Sequence, residues 1–325
     1  MAERDVVVFG EAMAMFVPLD DLPLEHANTY RRFVAGAEFN VAVGLSRLGH
    51  RIGWISRVGA DPFGTYLTDE ARRNGIDTSR VVVDGERPTG FQLKSQGEDP
   101  QVVYFRSGSA ASALGPGHAD LDYVAGARLL HVTGIPPALS STARAFTVEA
   151  MQAARESGVV VTFDPNLRPV LWTSAEEMRE VLNDLAAQAD WVLPGVAEGE
   201  VLVGSADADE IAAFYLDRGS RGVVVKLGAG GSCAVTAAGR TDVPAYPVTV
   251  VDSVGAGDGF AVGFISGLLD EDDVESCLHR ANAVGALAVT ERGDNEGLPT
   301  REQLDEFMAH HRPDPTAPQQ EGIAP

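Results

Sequence analysis

The stretch Asp252–Phe260, DSVGAGDGF, decides how this chain is interpreted. It places three glycines and two aspartates between the strand-like run AYPVTVV and the helix-like run AVGFISGLL. Glycines let the backbone approach a ligand closely, and the first amides of a helix point unpaired donors outward. Together with the helix dipole, these donors favour negative charge. The stretch therefore predicts an anion-binding turn at the start of a helix.

Two other phosphate-binding motifs are excluded by position. A Walker loop needs a lysine directly after a glycine, but Lys94 and Lys226, the two lysines of the chain, each follow another residue type. The dinucleotide fingerprint G-x-G-x-x-G is also absent, because counting from Gly255 or from Gly228 does not end on a glycine. A nicotinamide oxidoreductase therefore lacks its expected motif.

An anion hole with a built-in base remains. During phosphoryl transfer, charge spreads over the equatorial oxygens of the moving group, where backbone donors of Gly255, Ala256 and Gly257 would help most. Asp258 begins the same helix and could take the proton from an acceptor hydroxyl. The alternative is a structural glycine turn with Asp258 as a helix cap.

Composition limits the partners of the chain. Its 325 residues, 45% of them hydrophobic, can bury one large core or two modest ones. The formal net charge of -22 repels phosphate backbones, so no nucleic-acid partner is expected. Cys233 and Cys277 are too few for a disulfide scaffold. With no signal peptide and no apolar run near the ~20 residues of a membrane span, a cytoplasmic protein without a membrane partner is expected.

Short apolar runs alternate with amphipathic helical stretches, which predicts an α/β fold with a mostly parallel sheet covered by helices on both faces. The predicted strands are residues 6–10, 52–59, 127–134, 159–164, 190–195 and 222–228. A capping box, Ser174 with Glu177, predicts the start of one helix. Residues 11–35 and 88–107 contain strand-like pieces without crossover helices and predict antiparallel ribbons, either a flap or ordinary edge hairpins. Residues 312–325 predict a disordered tail.

Two motifs resemble one enzyme family. DSVGAGDGFAVGFI matches the downstream signature of the ribokinase-like (PfkB) carbohydrate kinases, with Ser253 where threonine is commoner. AGAEFNVAVGLSRLG, followed ten residues later by Gly59, is similar to the upstream motif, with Glu38 where many members carry a small residue. The GAE-x-N version resembles the branch that phosphorylates 2-keto-3-deoxygluconate, as do RVGADPFG, YFRSGSAASALGPG, DPNLRPVLW and ERGDNEG.

The resemblance covers roughly residues 5–310 and implies a fold and an activity. The fold would be one ribokinase-like domain over residues 1–311, with a small β-flap, or lid, from about residues 11–35 and 88–107. The activity would be transfer of the ATP γ-phosphoryl group to the terminal hydroxyl of 2-keto-3-deoxygluconate. A fructose or ribose kinase is the alternative within the enzyme class, and a non-catalytic sugar or nucleotide sensor is the alternative outside it. Flap strands with free edges also favour a homo-oligomer.

The resemblance also implies the residues on the sugar side. They are Gly36, Ala37, Glu38, Phe39, Asn40, Gln92, Tyr104, Arg106, Arg168, Asp258 and Asp294. A keto acid presents a carboxylate, and the planar guanidinium groups of Arg106 and Arg168 suit it. Gln92 replaces a tyrosine that is frequent in the branch.

The implied nucleotide side carries ATP and Mg²⁺. Its residues are Asn166, Arg168, Lys226, Gly228, Gly230, Gly231, Gly255, Gly257 and Asn282. Lys226 before a glycine loop suggests contact with phosphates, and Asn282 matches a position beside the adenine. The family often organises the metal through water with an N-x-x-E motif, which here is GVAE, so Glu198 remains and Gly195 replaces the asparagine.

Overall fold

The computed structural model describes residues 4–20, 22–96, 101–118 and 121–313. The strands are β1 (Arg4–Phe9), β2 (Met13–Pro18), β3 (Tyr30–Ala35), β4 (Ile52–Gly59), β5 (Asp77–Asp84), β6 (Phe91–Lys94), β7 (Val102–Phe105), β8 (Ala127–Thr133), β9 (Val160–Asp164), β10 (Trp191–Val192), β11 (Gly222–Lys226), β12 (Ser232–Thr236) and β13 (Gly239–Val243). The predicted tail lies almost wholly outside the described residues.

The helices alternate with these strands for most of the chain. They are α1 (Ala37–Arg47), α2 (Pro62–Arg73), α3 (Leu121–Ala125), α4 (Pro136–Leu139), α5 (Ser141–Glu156), α6 (Ala175–Ala186), α7 (Val196–Leu202), α8 (Ala208–Leu216), α9 (Ala256–Leu269), α10 (Val274–Ala288) and α11 (Arg301–His310). Within the described ranges, no helix combines the length and the apolar character needed to cross a membrane.

A nine-stranded sheet forms the centre of the molecule in the order β13-β12-β11-β10-β9-β8-β1-β4-β5. All neighbours from β11 to β5 pair in parallel, while β12 and β13 add an antiparallel hairpin at one edge. Strand β1 shows why both faces are covered: Val6 and Val8 pack into one core, and Val7 and Phe9 pack into the other. The predicted α/β class is confirmed.

A second sheet of four strands has the order β3-β2-β6-β7. Its strands come from the two segments that lack crossover helices. The β2–β3 and β6–β7 pairs are antiparallel as predicted, but β2 and β6 join them in parallel. The rings of Phe91 and Phe105 stack across β6 and β7 at 4.5 Å between centroids. Stacked rings and a small buried group around Met15 and Phe33 hold this sheet together.

Three local predictions need correction. The strand-like run AYPVTVV, residues 245–251, forms no strand and belongs to the loop after β13, because Pro244 and Pro247 lack the amide hydrogens that a sheet ladder needs. The strand predicted over residues 190–195 ends at Val192, because Pro194 has no amide hydrogen to continue the ladder. The capping box is only half formed: Ser174 Oγ accepts from the Glu177 amide at 3.1 Å, but the Glu177 carboxylate bonds to Arg144 at 2.8 Å instead of to the backbone of Ser174. A long-range ion pair has replaced the local hydrogen bond.

The topology brings candidate site residues together at the carboxyl ends of the parallel strands. Parallel strands β1, β8, β9 and β11 end at the same side of the main sheet, where the amino-terminal ends of α1 and α9 also lie. Glu11, Thr133, Asp164 and Lys226 stand at or just after these strand ends. Ligands of open α/β sheets bind at this edge.

Candidate active site

The predicted anion turn lies directly before α9. Gly255 is the N-cap, with φ of 85°, a left-handed conformation that favours glycine. A Cβ at Gly255 would lie 2.5 Å from the backbone oxygen of Asp294, whereas a Cβ at Gly257 would meet only Lys226 Nζ, at 3.8 Å. Gly255 is therefore required by the backbone, and Gly257 leaves open space beside the ammonium of Lys226.

Asp258 lies in the first turn of α9 and is buried. Its Oδ2 accepts from Asn40 Nδ2 at 2.8 Å, and its Oδ1 accepts from Asn166 Nδ2 at 3.3 Å. Burial raises the pKa of Asp258 to about 7, and the charges of Asp164 and Asp294 act in the same direction. The Asn40 hydrogen bond and the Arg168 charge oppose this rise. A carboxylate with a pKa near neutrality is suited to act as a general base.

A neighbouring amide fixes Asn40. Asn295 Nδ2 donates to Asn40 Oδ1 at 3.0 Å and to the backbone oxygen of Val34 at 3.2 Å. The Asn40 carbonyl oxygen is thereby occupied, so its amide nitrogen must point towards Asp258. Asn295 follows the predicted Asp294 directly, but the sequence reasoning did not select it.

The sugar-side segment begins at Gly36, the N-cap of α1, with φ of 139°. The ring of Phe39 lies in the core, edge-on to Trp54 at 5.2 Å, so any contribution of Phe39 to the site comes from its backbone. Ala37 is also buried. This part of the expected site consists mainly of backbone around the start of a helix.

Glu38 is a buried acid in the same segment. Its Oε1 accepts from the hydroxyl of Thr133, and its Oε2 has no hydrogen-bond partner among the described residues. Burial raises the pKa of Glu38 to about 7, although the Thr133 hydrogen bond opposes this. The side chain is therefore close to the balance between its neutral and ionised forms at neutral pH.

The residues of the small sheet differ in exposure. Gln92 on β6 is buried, and its neighbour across the pair, Tyr104 on β7, is 39% exposed. Arg106, just after β7, is buried and donates to Glu11 Oε2 from Nε at 2.7 Å, with Nη2 at 2.6 Å from the same oxygen. The charge of Arg106 is therefore already paired, which the sequence reasoning did not foresee because it had not considered Glu11.

The phosphate-side residues surround Lys226. Lys226 Nζ donates to both oxygens of Asp164 at 2.8 and 3.0 Å and lies 3.7 Å from Glu198. Burial alone would lower the pKa of Lys226, but Asp164 and Glu198 outweigh it and the pKa is raised. Lys226 therefore remains charged beside the open face of Gly257.

Asn166 and Arg168 follow β9. Asn166 has φ of 40°, a left-handed conformation that asparagine tolerates better than most residues. Arg168 donates from Nη1 to the backbone oxygen of Leu167 at 2.7 Å and, within the described part of the chain, forms no ion pair. Its positive charge lowers the pKa of both Asp258 and Asp294. Arg168 is thus a cation available to an anionic ligand.

The remaining nucleotide-side predictions lie further along the same face. Gly228 and Gly230 form a single 3-10 turn after β11, and Gly231 follows with φ of 95°. Asn282 on α10 is buried, and its amide donates to the backbone oxygens of Val243 and Pro244 at 3.0 and 3.1 Å. Asn282 therefore holds the loop that follows β13.

Residues of that loop line a groove of about 700 Å³. Its lining residues are Pro247, Val248, Thr249, Val251, Thr290, Phe307 and His311. Most of them present apolar atoms. One of them, Val251, directly precedes Asp252, the first residue of the stretch that contains the anion turn. It offers space for a flat, partly apolar ligand next to the anion turn.

Both carboxylate oxygens of Glu198 are occupied by backbone amides. Its Oε1 accepts from the Leu167 amide at 3.0 Å and its Oε2 from the Gly195 amide at 2.7 Å. Across the ranges that the structure describes, no group of three or more His, Cys, Asp or Glu side chains could hold a metal ion. The carboxylates of Asp164 and Glu198 can still fit Mg²⁺ that arrives with phosphates and keeps most of its water.

Comparison with known proteins gives carbohydrate kinases. Residues 3–301 match the model of the family described as pfkB family carbohydrate kinase. The 2-dehydro-3-deoxygluconokinase of Bacillus subtilis (strain 168) is 47% identical over 312 residues, covering 95% of this chain and 96% of the relative.

Two solved structures have the same fold. The PfkB protein from Polaromonas sp. JS666 has a TM-score of 0.87 at 47% identity and covers 93% of this chain and 99% of its own. A putative ribokinase II from E. coli, solved in complex with ATP and Mg²⁺, has a TM-score of 0.89 at 27% identity and covers 95% and 100%.

Proposed function

The chain belongs to the pfkB family of carbohydrate kinases, and we propose that it phosphorylates 2-keto-3-deoxygluconate with ATP. The acceptor hydroxyl oxygen attacks the γ-phosphorus, the bond to the β-phosphate bridging oxygen breaks, and the hydroxyl proton passes to Asp258. The products are ADP and 2-keto-3-deoxy-6-phosphogluconate. The high identity to the Bacillus enzyme over nearly the whole chain supports this substrate.

The arrangement of Asp258 carries the proposal. A buried carboxylate with a pKa near 7 lies in the first turn of the helix whose amides form the anion hole. Phosphoryl transfer needs the carboxylate and these amides close together, because the base acts on the acceptor while the amides stabilise the transferring phosphoryl group. A structural helix cap would not require a buried donor from Asn40, or Asn295 to hold that donor in place.

The nucleotide would occupy the side of Lys226. We propose that Lys226, Asn166 and the amides of Gly255–Gly257 contact the ATP phosphates, and that the base lies in the groove that includes Val251 and Thr290. Asn282 would support this groove through the loop at Val243. The putative ribokinase II that holds ATP and Mg²⁺ supports this cosubstrate.

Magnesium would be held mainly by the ATP phosphates and by water. Mg²⁺ supplies charge neutralisation to the transferring group. Glu198 uses both oxygens for backbone amides, so its contribution would be through water, beside Asp164. Lys226 lies between the two carboxylates and limits direct coordination.

The sugar acid would lie between Asp258 and the small sheet. We propose that Arg168 and Arg106 face its carboxylate, with Arg106 oriented by Glu11. Asp294 and Glu38 would accept hydrogen bonds from its hydroxyls, and Gln92 and Tyr104 would close the site from β6 and β7. The small sheet then acts as a lid.

Phosphorylation assays with a panel of sugars and sugar acids test the proposal. We expect 2-keto-3-deoxygluconate to have the highest kcat/KM, well above fructose and ribose, and the product to carry its phosphate on the terminal hydroxyl. Equal use of fructose or ribose would favour the neutral-sugar alternative, and absence of ATP turnover with every acceptor would favour the sensor.

Two further proposals concern the surroundings of the enzyme. Residues Val103, Tyr104 and Phe105 of β7 are each about 40% exposed or more on an edge strand, which supports a homo-oligomer formed through the small sheet. Light scattering of the purified protein tests this. Both cysteines, Cys233 and Cys277, are free, which supports a reducing, cytoplasmic location.

A further inference from the structure

Lys94 joins the small sheet to the anion turn. It is the last residue of β6, and its side chain is 4% exposed. Its Nζ donates to Asp252 Oδ2 at 2.7 Å and lies 3.5 Å from Asp294 Oδ1. One ammonium group from the small sheet therefore lies between two carboxylates from two different loops of the main body.

Both carboxylates belong to segments that shape the turn. Asp252 is the first residue of the glycine-rich stretch 252–260, and its Oδ1 accepts from the Val254 amide at 3.2 Å. The backbone oxygen of Asp294 lies so close to Gly255 that a Cβ there would be 2.5 Å away. Displacement of either aspartate would therefore move the backbone that carries the anion-binding amides.

The ammonium of Lys94 also balances the negative charges of Asp252 and Asp294. Asp252 and Asp294 are mostly buried, and Asp294 lies close enough to Asp258 to influence it. Burial raises the pKa of Asp294, Lys94 opposes this, and the charge of Asp252 adds to it. Without Lys94, two like charges would face each other in a poorly solvated place, and they would separate or take up a proton.

We propose that Lys94 is a positioning residue for phosphoryl transfer, which holds the anion turn in its working geometry from the small sheet. It acts through Asp252 and Asp294, not on the substrates. Docking of the small sheet and assembly of the turn are then one event, because the same ammonium takes part in both. This inference rests on the proposed kinase function.

A neighbouring contact provides the control. Arg292 donates from Nη1 to Gln96 Oε1 at 2.7 Å, in an exposed position that joins the same two segments. It also carries one positive charge, but it does not touch Asp252 or Asp294. Arg292→Met therefore matches Lys94→Met in charge change and in the segments affected.

The experiment compares Lys94→Met, Lys94→Arg and Arg292→Met, with Tm measured for each. The acceptor is whichever sugar the wild-type enzyme uses best, so failure of the 2-keto-3-deoxygluconate assignment leaves the test intact. We expect Lys94→Met to lower kcat about 10- to 100-fold, the range for a small misplacement of reacting groups, with KM for ATP within about threefold of wild type. Lys94→Arg should recover part of the loss, and Arg292→Met should resemble wild type.

A second variant keeps the test decisive if Lys94→Met does not fold. Lys94→Met combined with Asp252→Asn preserves the net charge of the group and removes the repulsion, but it lacks the bridge. We expect this double variant to fold and still to have a low kcat. Wild-type kcat in the double variant, wild-type kcat in folded Lys94→Met, or no recovery in folded Lys94→Arg would each overturn the proposal.

Discussion

The carboxylate of Asp258 accepts a hydrogen bond of 2.8 Å from the side-chain amide of Asn40, a residue 218 positions away in the chain. This contact joins the start of α9 to the start of α1, and therefore the phosphoryl side of the site to the sugar side. It holds the carboxylate in one orientation and moderates its pKa. The first two predictions follow from it.

Asp258→Asn should abolish the base. We expect kcat to fall by roughly 10²–10⁴, the usual contribution of a general base. KM for ATP should change little, because the side chain acts on the acceptor hydroxyl. Steady-state kinetics with both substrates varied, with Tm as a control for folding, check this. Turnover near the wild-type rate would remove Asp258 from the proposed role.

The activity should depend on the ionisation of Asp258. Because the pKa of Asp258 is raised to about 7 and only the carboxylate form accepts a proton, kcat/KM should fall as the pH decreases through about 7. Asn40 lowers this pKa, so Asn40→Ala should move the acid limb of the profile to higher pH. Profiles measured at constant ionic strength check both statements, and an acid limb unchanged by Asn40→Ala would contradict the second.

Two glycines of the turn should respond differently to substitution. Gly255→Ala places a Cβ in a left-handed residue and against the Asp294 oxygen, so we expect a clear loss of Tm. Gly257→Val adds its side chain in open space near Lys226, so we expect Tm close to wild type and kcat lower by about 10-fold or more, because phosphate access to the amides is blocked. Equal loss of Tm in both variants would favour a purely structural turn.

The sequence predicted those parts of the site that are local. Asp258, Gly255 and Gly257 lie within a few residues of each other, so spacing alone brought them together. The parallel sheet was equally predictable, because strand and helix periodicities alternate over most of the chain. The β12–β13 hairpin and β5 were not predicted, since polar residues in β13 and in the first half of β5 interrupt the apolar run that marks a strand.

The long-range partners could not be derived in the same way. Glu11 contacts Arg106 across 95 positions, and Lys94 contacts Asp294 across 200. Nothing in local spacing reveals such pairs, because they depend on how the two sheets pack. Lys94 is one of only two lysines in the chain, but its partners became visible only with the fold.

The pairing of Arg106 with Glu11 sharpens the prediction for the sugar acid. Arg106→Leu should have two effects. It leaves the Glu11 carboxylate buried without its partner, which typically costs about 3–5 kcal/mol of stability. It also removes one charge-assisted contact to the substrate carboxylate, which should raise KM for 2-keto-3-deoxygluconate by about 10- to 150-fold, with KM for ATP nearly unchanged.

A second substitution separates these effects. Glu11→Gln removes the buried charge that Arg106→Leu would leave behind, so the double variant should regain much of the lost Tm. It should not regain the affinity for the acid, because no guanidinium is restored. Glu11→Gln alone keeps an oxygen that can accept from Arg106 and orient it but removes the competing charge, so KM for the acid should stay unchanged or fall. If the double variant recovers both Tm and KM, Arg106 serves only to neutralise Glu11, and Arg168 alone must receive the carboxylate.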